Sequence, residues 1–306
     1  MNIDFFTPLS NSWTRMKKAL FQPFDITKWF VVGFTAFLAE LLDGPHGNGS
    51  GGNNNHDFDF GDVADFPYFA WDWLMDNTGW FSLIIIGIIL LITIIVILTW
   101  LSSRGKFMFL DNVVHNRAKV TQPWYDFRDH GNSLFLWRLV FGLICLGVII
   151  LFIVQFFIVA VEFYNSDFEP VPILSFVGIG LLFFLFLLVI SYISVFLDDF
   201  IVPIMYKNNI STAKAWHIFL PIFSKHWLYF ILYGLLLFVL WIFIVIFIIL
   251  AGIFTCCIGF ILLIIPYLGS VVTLPISYTF RSFGPEFLKQ FGPEFDIFPE
   301  ADDVIV

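Results

Sequence analysis

Charge is what this sequence has least of. Asp, Glu, Lys and Arg make up 13% of the 306 residues, against 59% apolar ones. Soluble domains run nearer ~25% charged and ~45–50% apolar. A fold in water has too little interior to hide such an excess, so lipid is the solvent for much of this chain. Cysteine is scarce as well. Cys145, Cys256 and Cys257 all sit in apolar runs, which excludes a disulfide framework and leaves them as small buried hydrophobes. Motifs of catalysis are missing too. No His-Glu-x-x-His, Gly-x-Ser-x-Gly or phosphate-binding glycine loop occurs, which removes the enzyme classes built on them. Residues 1–24 lack an uninterrupted apolar core and are read as part of the mature chain, not as a cleaved leader.

What the chain has instead is long uncharged runs. Trp80–Leu101 and Val171–Leu197 carry no charge, and Leu134–Val161 carries only Arg138. Trp227–Phe280 is 54 residues without a charge, which is two crossings of a bilayer that needs about 20 helical residues each. Their turn is expected near Ala251–Gly259. A shorter run, Lys28–Leu42, is closed by Glu40 and Asp43. The basic residues make it a sixth span. With six crossings, all 15 Lys and Arg fall on one side, while loops 43–79 and 162–172 hold only acids. Positive-inside sorting then puts both termini in the cytoplasm.

The reading is an all-α integral membrane protein, a single membrane domain over 1–306. Its six transmembrane helices lie at about 28–43, 80–101, 134–161, 172–197, 227–250 and 258–280. They are arranged as three hairpins, each preceded by an interfacial amphipathic helix, the first at 8–24. Residues 44–79 form an acidic, Gly/Asn-rich extracytoplasmic loop and 281–306 a cytoplasmic tail. The repeat rests on spacing: Phe21, Pro23 and Trp29 recur as Phe219, Pro221 and Trp227, and Phe127 and Phe135 keep the interval of eight. In the first copy Leu9, Trp13, Met16, Leu20 and Phe24 form an apolar stripe opposite Asn11, Arg15, Lys18 and Gln22. In the third, Trp216, Phe219, Leu220 and Phe223 do so, with Ser211 as N-cap and Pro221 bending or ending the helix. The membrane-interface residues are Trp13, Lys17, Lys18, Trp29, Trp124, Trp216 and Trp227. Pro266 and Pro275 mark breaks in the last span.

Span interiors hold no ionisable residue; Thr93, Gln155, Ser191, Tyr192, Ser194, Thr273 and Ser277 are their most polar side chains. That argues against ion pumps and proton-coupled transporters. Asp198 and Asp199 are read as pairing with Arg104, Lys207 or Arg281. His115, His130, His217 and His226 are scattered, without ligand spacing. His46, His56, Asp57, Asp59 and Asp62 match no cation-binding spacing. No catalytic residue, metal or cofactor is expected, and no nucleic-acid partner. The tail repeats Phe283-Gly-Pro-Glu-Phe287 as Phe291-Gly-Pro-Glu-Phe295. Proline forbids a continuous helix there, and the rings dock under their own bundle or on a protein partner.

The stretch Asp199-Phe-Ile-Val-Pro203-Ile-Met-Tyr206, then Ala213-x-x-Trp216 and the Trp227 span, resembles the membrane domain attached to some bacterial glycerophosphodiester phosphodiesterases, and its stand-alone relatives. Pro23-Phe-Asp-Ile-Thr-Lys-Trp-Phe30 is similar to one branch of that group. The resemblance implies a bacterial inner (cytoplasmic) membrane protein and supplies no catalytic residues, because the enzyme domain of those proteins is a separate unit. The expected function is a non-enzymatic scaffold or accessory subunit of a membrane assembly, in contact with lipids and able to oligomerise. The alternative is a lipid-handling transporter or scramblase that uses its interfacial helices and a kinked sixth span.

Overall fold

The computed structural model describes residues 3–42, 71–165, 170–255 and 258–298. The loop residues His46, His56, Asp57, Asp59 and Asp62, and Cys256 and Cys257, lie outside them. Among the described residues the chain is all-helical: α1 (Phe6–Phe21), α2 (Ile26–Ala39), α3 (Thr78–Val114), α4 (Thr121–Asp126), α5 (Arg128–Asn165), α6 (Pro170–Phe196), a π-turn (Leu197–Ile201), α7 (Val202–Asn208), α8 (Thr212–Phe254), α9 (Ile258–Ile264), α10 (Pro266–Val272) and α11 (Leu274–Leu288). A helical segment at 71–76 precedes α3.

Four helical stretches are long and apolar enough to cross a membrane: Thr78–Val114, Arg128–Glu162, Leu174–Asn208 and Thr212–Phe254. The first and last expected spans take other forms. Helix α2 has 14 residues, about 21 Å of rise, which is less than the about 30 Å of a bilayer core. Asp25 starts it by accepting from the amides of Thr27 and Lys28 at 2.8 and 3.3 Å. The segment expected as one helix over 258–280 is three. It breaks at Ile265, in extended conformation, and at Thr273. Pro266 follows the first break and Pro275 lies two residues past the second, where a missing N–H costs no helical bond.

The chain divides into two compact units. Unit 1 comprises 1–46, 98–138 and 192–306; unit 2 comprises 47–97 and 139–191. Every Lys and Arg of the sequence lies in unit 1, and the Asp and Glu of unit 2 have no basic counterpart. In unit 2, α5 and α6 pack through rings, Phe152 lying 5.3 Å from Phe183 and Phe156 5.1 Å from Phe176. The apolar helices otherwise expose their sides: none of the most hydropathic window of α3 is buried.

Unit 1 holds the protein's core. The long helices overshoot the uncharged runs, and the overshoots pack. Residues 102–114, expected in a loop, continue α3 and are all buried. Around them Phe200 stacks on Phe219 (5.4 Å), Phe230 on Phe291 (4.9 Å) and Tyr233 on Phe283 (5.1 Å). Two overshoots end on asparagines in the left-handed region, Asn116 (φ 51°) and Asn209 (φ 55°), as helix termini commonly do.

The three repeat copies each break after their first helical segment, at different points: at Gln22–Asp25, at Phe127, and inside α8 at His226 (φ −128°, ψ 29°). Pro221 neither ends nor bends α8 at its own position; the kink comes five residues later. Ser211 occupies the N-cap of α8 but its hydroxyl makes no cap bond. The tail also departs from expectation. Its first repeat is helical, Pro285 lying inside α11, and the second forms 3-10 turns at Lys289–Phe291 and Pro293–Phe295. Burial of Phe283 and Phe287 offsets the one backbone bond that Pro285 forgoes.

Candidate functional site

Polar chemistry gathers where the overshoots meet. The π-turn carries Asp198 and Asp199, and an inserted residue of this kind often marks a functional segment. Lys106 of α3, 3% exposed, makes an ion pair with Asp198. Arg281 of α11 donates to the carbonyl oxygens of Lys106 (2.5 Å) and Asp198 (3.3 Å). Tyr233 of α8 donates to Asp199 Oδ2 at 2.8 Å. Gly284 admits this approach: a Cβ there would lie 2.6 Å from the Asp199 carbonyl oxygen. Three helices are thus pinned at one turn.

A second cluster ties the C-terminal ends of α3 and α7. Asp111, 1% exposed, accepts from Arg117 Nε (3.0 Å) and Nη2 (2.7 Å) and from the Tyr206 hydroxyl (2.9 Å). His115 Nδ1 stands 3.2 Å from the same carboxylate. Asn112 mimics a strand partner, donating to the Lys119 carbonyl and accepting from its amide, both at 2.9 Å.

A third group surrounds Arg104. Its guanidinium carbon lies 4.3 Å from the Trp100 ring centre and 4.9 Å from that of Trp124, and Nη2 donates to Asn132 Oδ1 at 3.2 Å. Cation–π contacts of this kind contribute about 0.5–2 kcal/mol each, less than the several kcal/mol that burying an ion costs.

The termini clasp one another. Arg15 pairs with Glu286 at 2.7 Å and its guanidinium lies 3.6 Å from the Phe298 ring centre. Asp4 and Gln290 exchange two bonds, at 2.9 and 2.8 Å. Asp4 also accepts from the hydroxyl and amide of Thr7 and the amide of Phe6, and these bonds hold its carboxyl below the usual range.

The expected interface residues are not brought together. Trp13 (47% exposed) and Trp227 (54%) point outward, and Lys17 Nζ lies 5.5 Å from the Trp13 ring centre; Lys18 is exposed. Trp29 donates to the Leu20 carbonyl at 2.8 Å, Trp124 meets Trp100 edge-on at 5.8 Å and Trp216 stacks on Trp137 at 5.6 Å. The face of α1 that packs is Pro8, Ser12, Met16, Ala19 and Leu20. Met16 and Leu20 of the expected stripe belong to it and Leu9 packs beside it, while Trp13 and Phe24 stay exposed. Of the partners expected for Asp198 and Asp199, Arg281 reaches them, donating to the Asp198 carbonyl oxygen and lying near enough to the Asp199 carboxylate to act on its charge. Lys106, Tyr233, Asp111 and Tyr206 escaped the sequence reading. For Lys106 and Asp111 the signal was the apolar run Phe107–Leu110 that they flank, which a loop has no reason to contain.

At the π-turn Lys106 pairs with Asp198, Tyr233 holds Asp199, and Arg281 is spent on backbone carbonyls. Among the described residues no three His, Cys, Asp or Glu are grouped as a metal ion requires. The arrangement is a lock between helices, and the molecule that carries it is an all-helical membrane protein. The chain belongs to DUF7544, a family of unknown function, whose family model matches residues 4–288. No curated protein and no solved structure matches it.

Proposed function

We propose that this protein is a non-enzymatic scaffold or accessory subunit of a membrane assembly, associating through the helices of unit 2. One observation carries the reading. Gly87, Gly142, Gly147, Gly178 and Gly180 stand in long apolar helices, and a Cβ on any of them would meet nothing within 4 Å. Glycine inside a helix is disfavoured by about 1 kcal/mol relative to alanine, and in membranes small residues serve close helix–helix packing. Unit 1 uses its glycines in that way; unit 2 has the same residues without the neighbours. The resemblance of Asp199–Tyr206 to a membrane domain that accompanies a separate enzyme supports the same role. Purification of the full chain in mild detergent and in native nanodiscs, with mass read by native mass spectrometry, is expected to recover a homo- or hetero-oligomer. Recovery of a lone monomer under every mild condition overturns the reading.

The proposal includes six crossings in a bacterial inner membrane, with α2 and the broken 258–280 segment as the first and sixth, and with the basic segments and both termini cytoplasmic. Confinement of all Lys and Arg to unit 1 supports that orientation. The short α2 and twice-broken last span favour lipid handling as a second reading, since short spans thin a bilayer. Fluorescent-lipid scrambling by the protein in liposomes decides it: no rate above empty vesicles would falsify that alternative.

A further inference from the structure

Two cations are classed as buried among the described residues, Lys106 and Arg104. Lys106 has Asp198. Arg104 has neither a carboxylate nor a carbonyl. It is 8% exposed, its Nη2 bonds only the neutral Asn132, and its Nε is buried without a partner. The charged neighbours that act on it, Arg128 and Asp129, do so with opposite sign. A guanidinium keeps its charge and presents five in-plane donors. Trp100 and Trp124 attract the cation through their faces but take up none of those in-plane N–H groups.

The position of the group narrows what completes it. Trp100 stands near the end of the uncharged run that begins at Trp80, and Arg104 lies one helical turn beyond, the level at which tryptophan and arginine meet headgroups. Gly131 makes room for the arginine stem, since a Cβ there would lie 2.7 Å from Arg104 Cγ. The anion abundant at that level is phosphate, whose oxygens match the guanidinium fork. We propose that Arg104, held by Trp100, Trp124 and Asn132, is a binding site for a phosphate group. Two sources offer that chemistry, the phosphodiester of a lipid headgroup and a free phosphate ion. The site stands or falls independently of the assembly reading.

The full-length protein, in an uncharged detergent that contains no phosphate, is titrated with phosphatidylglycerol, diacylglycerol or inorganic phosphate. Ligand retention is read by native mass spectrometry and stability by the melting temperature. Phosphatidylglycerol is expected to be retained and to raise the melting temperature, and diacylglycerol to do neither. Arg104→Gln is expected to weaken phosphatidylglycerol retention by about tenfold or more, since a bond to an ionised group is lost. Asn132→Asp is the companion variant in case the first fails to fold. It puts a carboxylate at the arginine, so it is expected to raise the melting temperature without lipid and to weaken retention similarly. Inorganic phosphate that stabilises wild type but not Asn132→Asp, with no added effect of the lipid, upholds the site and makes the free ion its ligand. Retention of phosphatidylglycerol by Asn132→Asp at the wild-type level overturns the proposal, as does equal retention of diacylglycerol.

Discussion

Glycine separates the two units as sharply as charge does. In unit 1 a Cβ at Gly105 would lie 2.5 Å from the Leu38 carbonyl carbon, and at Gly284 2.6 Å from the Asp199 oxygen. Both obstacles are backbone, which cannot swing aside. Gly105→Ala and Gly284→Ala are each expected to cost about 1–3 kcal/mol by overpacking. Gly142→Ala or Gly178→Ala should be neutral, or stabilising by up to about 1 kcal/mol, in the isolated chain. Thermal melts in detergent compare the four directly. Asp111 is the other sensitive residue. Asp111→Asn leaves Arg117 and the Tyr206 hydroxyl competing for a neutral amide, at an expected cost of about 3–5 kcal/mol for an interrupted buried pair. An unchanged melting temperature would remove Asp111 from the core.

At the scale of elements, the π-turn is the joint on which α3, α8 and α11 meet. Its extra residue sets Asp198 toward Lys106 and leaves Asp199 for Tyr233. Asp198→Asn is expected to destabilise by about 3 kcal/mol, because the buried Lys106 ammonium loses the carboxylate it pairs with. Lys106→Met combined with Asp198→Leu should recover most of that loss, since an apolar pair of similar volume often replaces a buried ion pair without penalty. A double-variant melt no better than the single one argues against the pair as the source of the cost. The tail belongs to this scale too. Truncation after Leu288 removes Gln290 from Asp4 and the buried rings of Phe295 and Phe298 from the core. The truncated chain is expected to melt several degrees lower in a fluorescence-detected size-exclusion assay, by about 1.5–3 kcal/mol for each large side chain uncovered.

For the whole molecule, orientation is the property most open to test. In a cysteine-less background, a cysteine at position 55 is expected to react with an impermeant maleimide from outside intact cells, and one at 289 only after lysis. Labelling of position 55 solely after lysis reverses the proposed topology. The lengths of α3, α5 and α8 follow from the same picture. Each exceeds a bilayer core, and the surplus of α3 at 102–114 is buried in unit 1.

Apolar runs and the sorting of Lys and Arg were legible in the sequence because both are one-dimensional: a span needs consecutive apolar residues, and a charge belongs to one side or the other. The positions of the last span's breaks were legible at Pro266 and Pro275 for the same reason, since a missing N–H is local. The continuation of α3 through 102–114 was not, because Arg104, Lys106 and Asp111 look like loop residues until their partners are known. Those partners come from segments up to 175 positions away, and the pairing of Lys106 with Asp198 depends on a π-turn that has no pattern of its own. The sequence by itself determined that this chain is helical, lives in lipid and keeps its basic residues together. Only the tertiary structure decided that the segments bearing them pack together and bring Lys106 to Asp198 and Arg15 to Glu286, because such pairing is a matter of distance between residues remote in the chain.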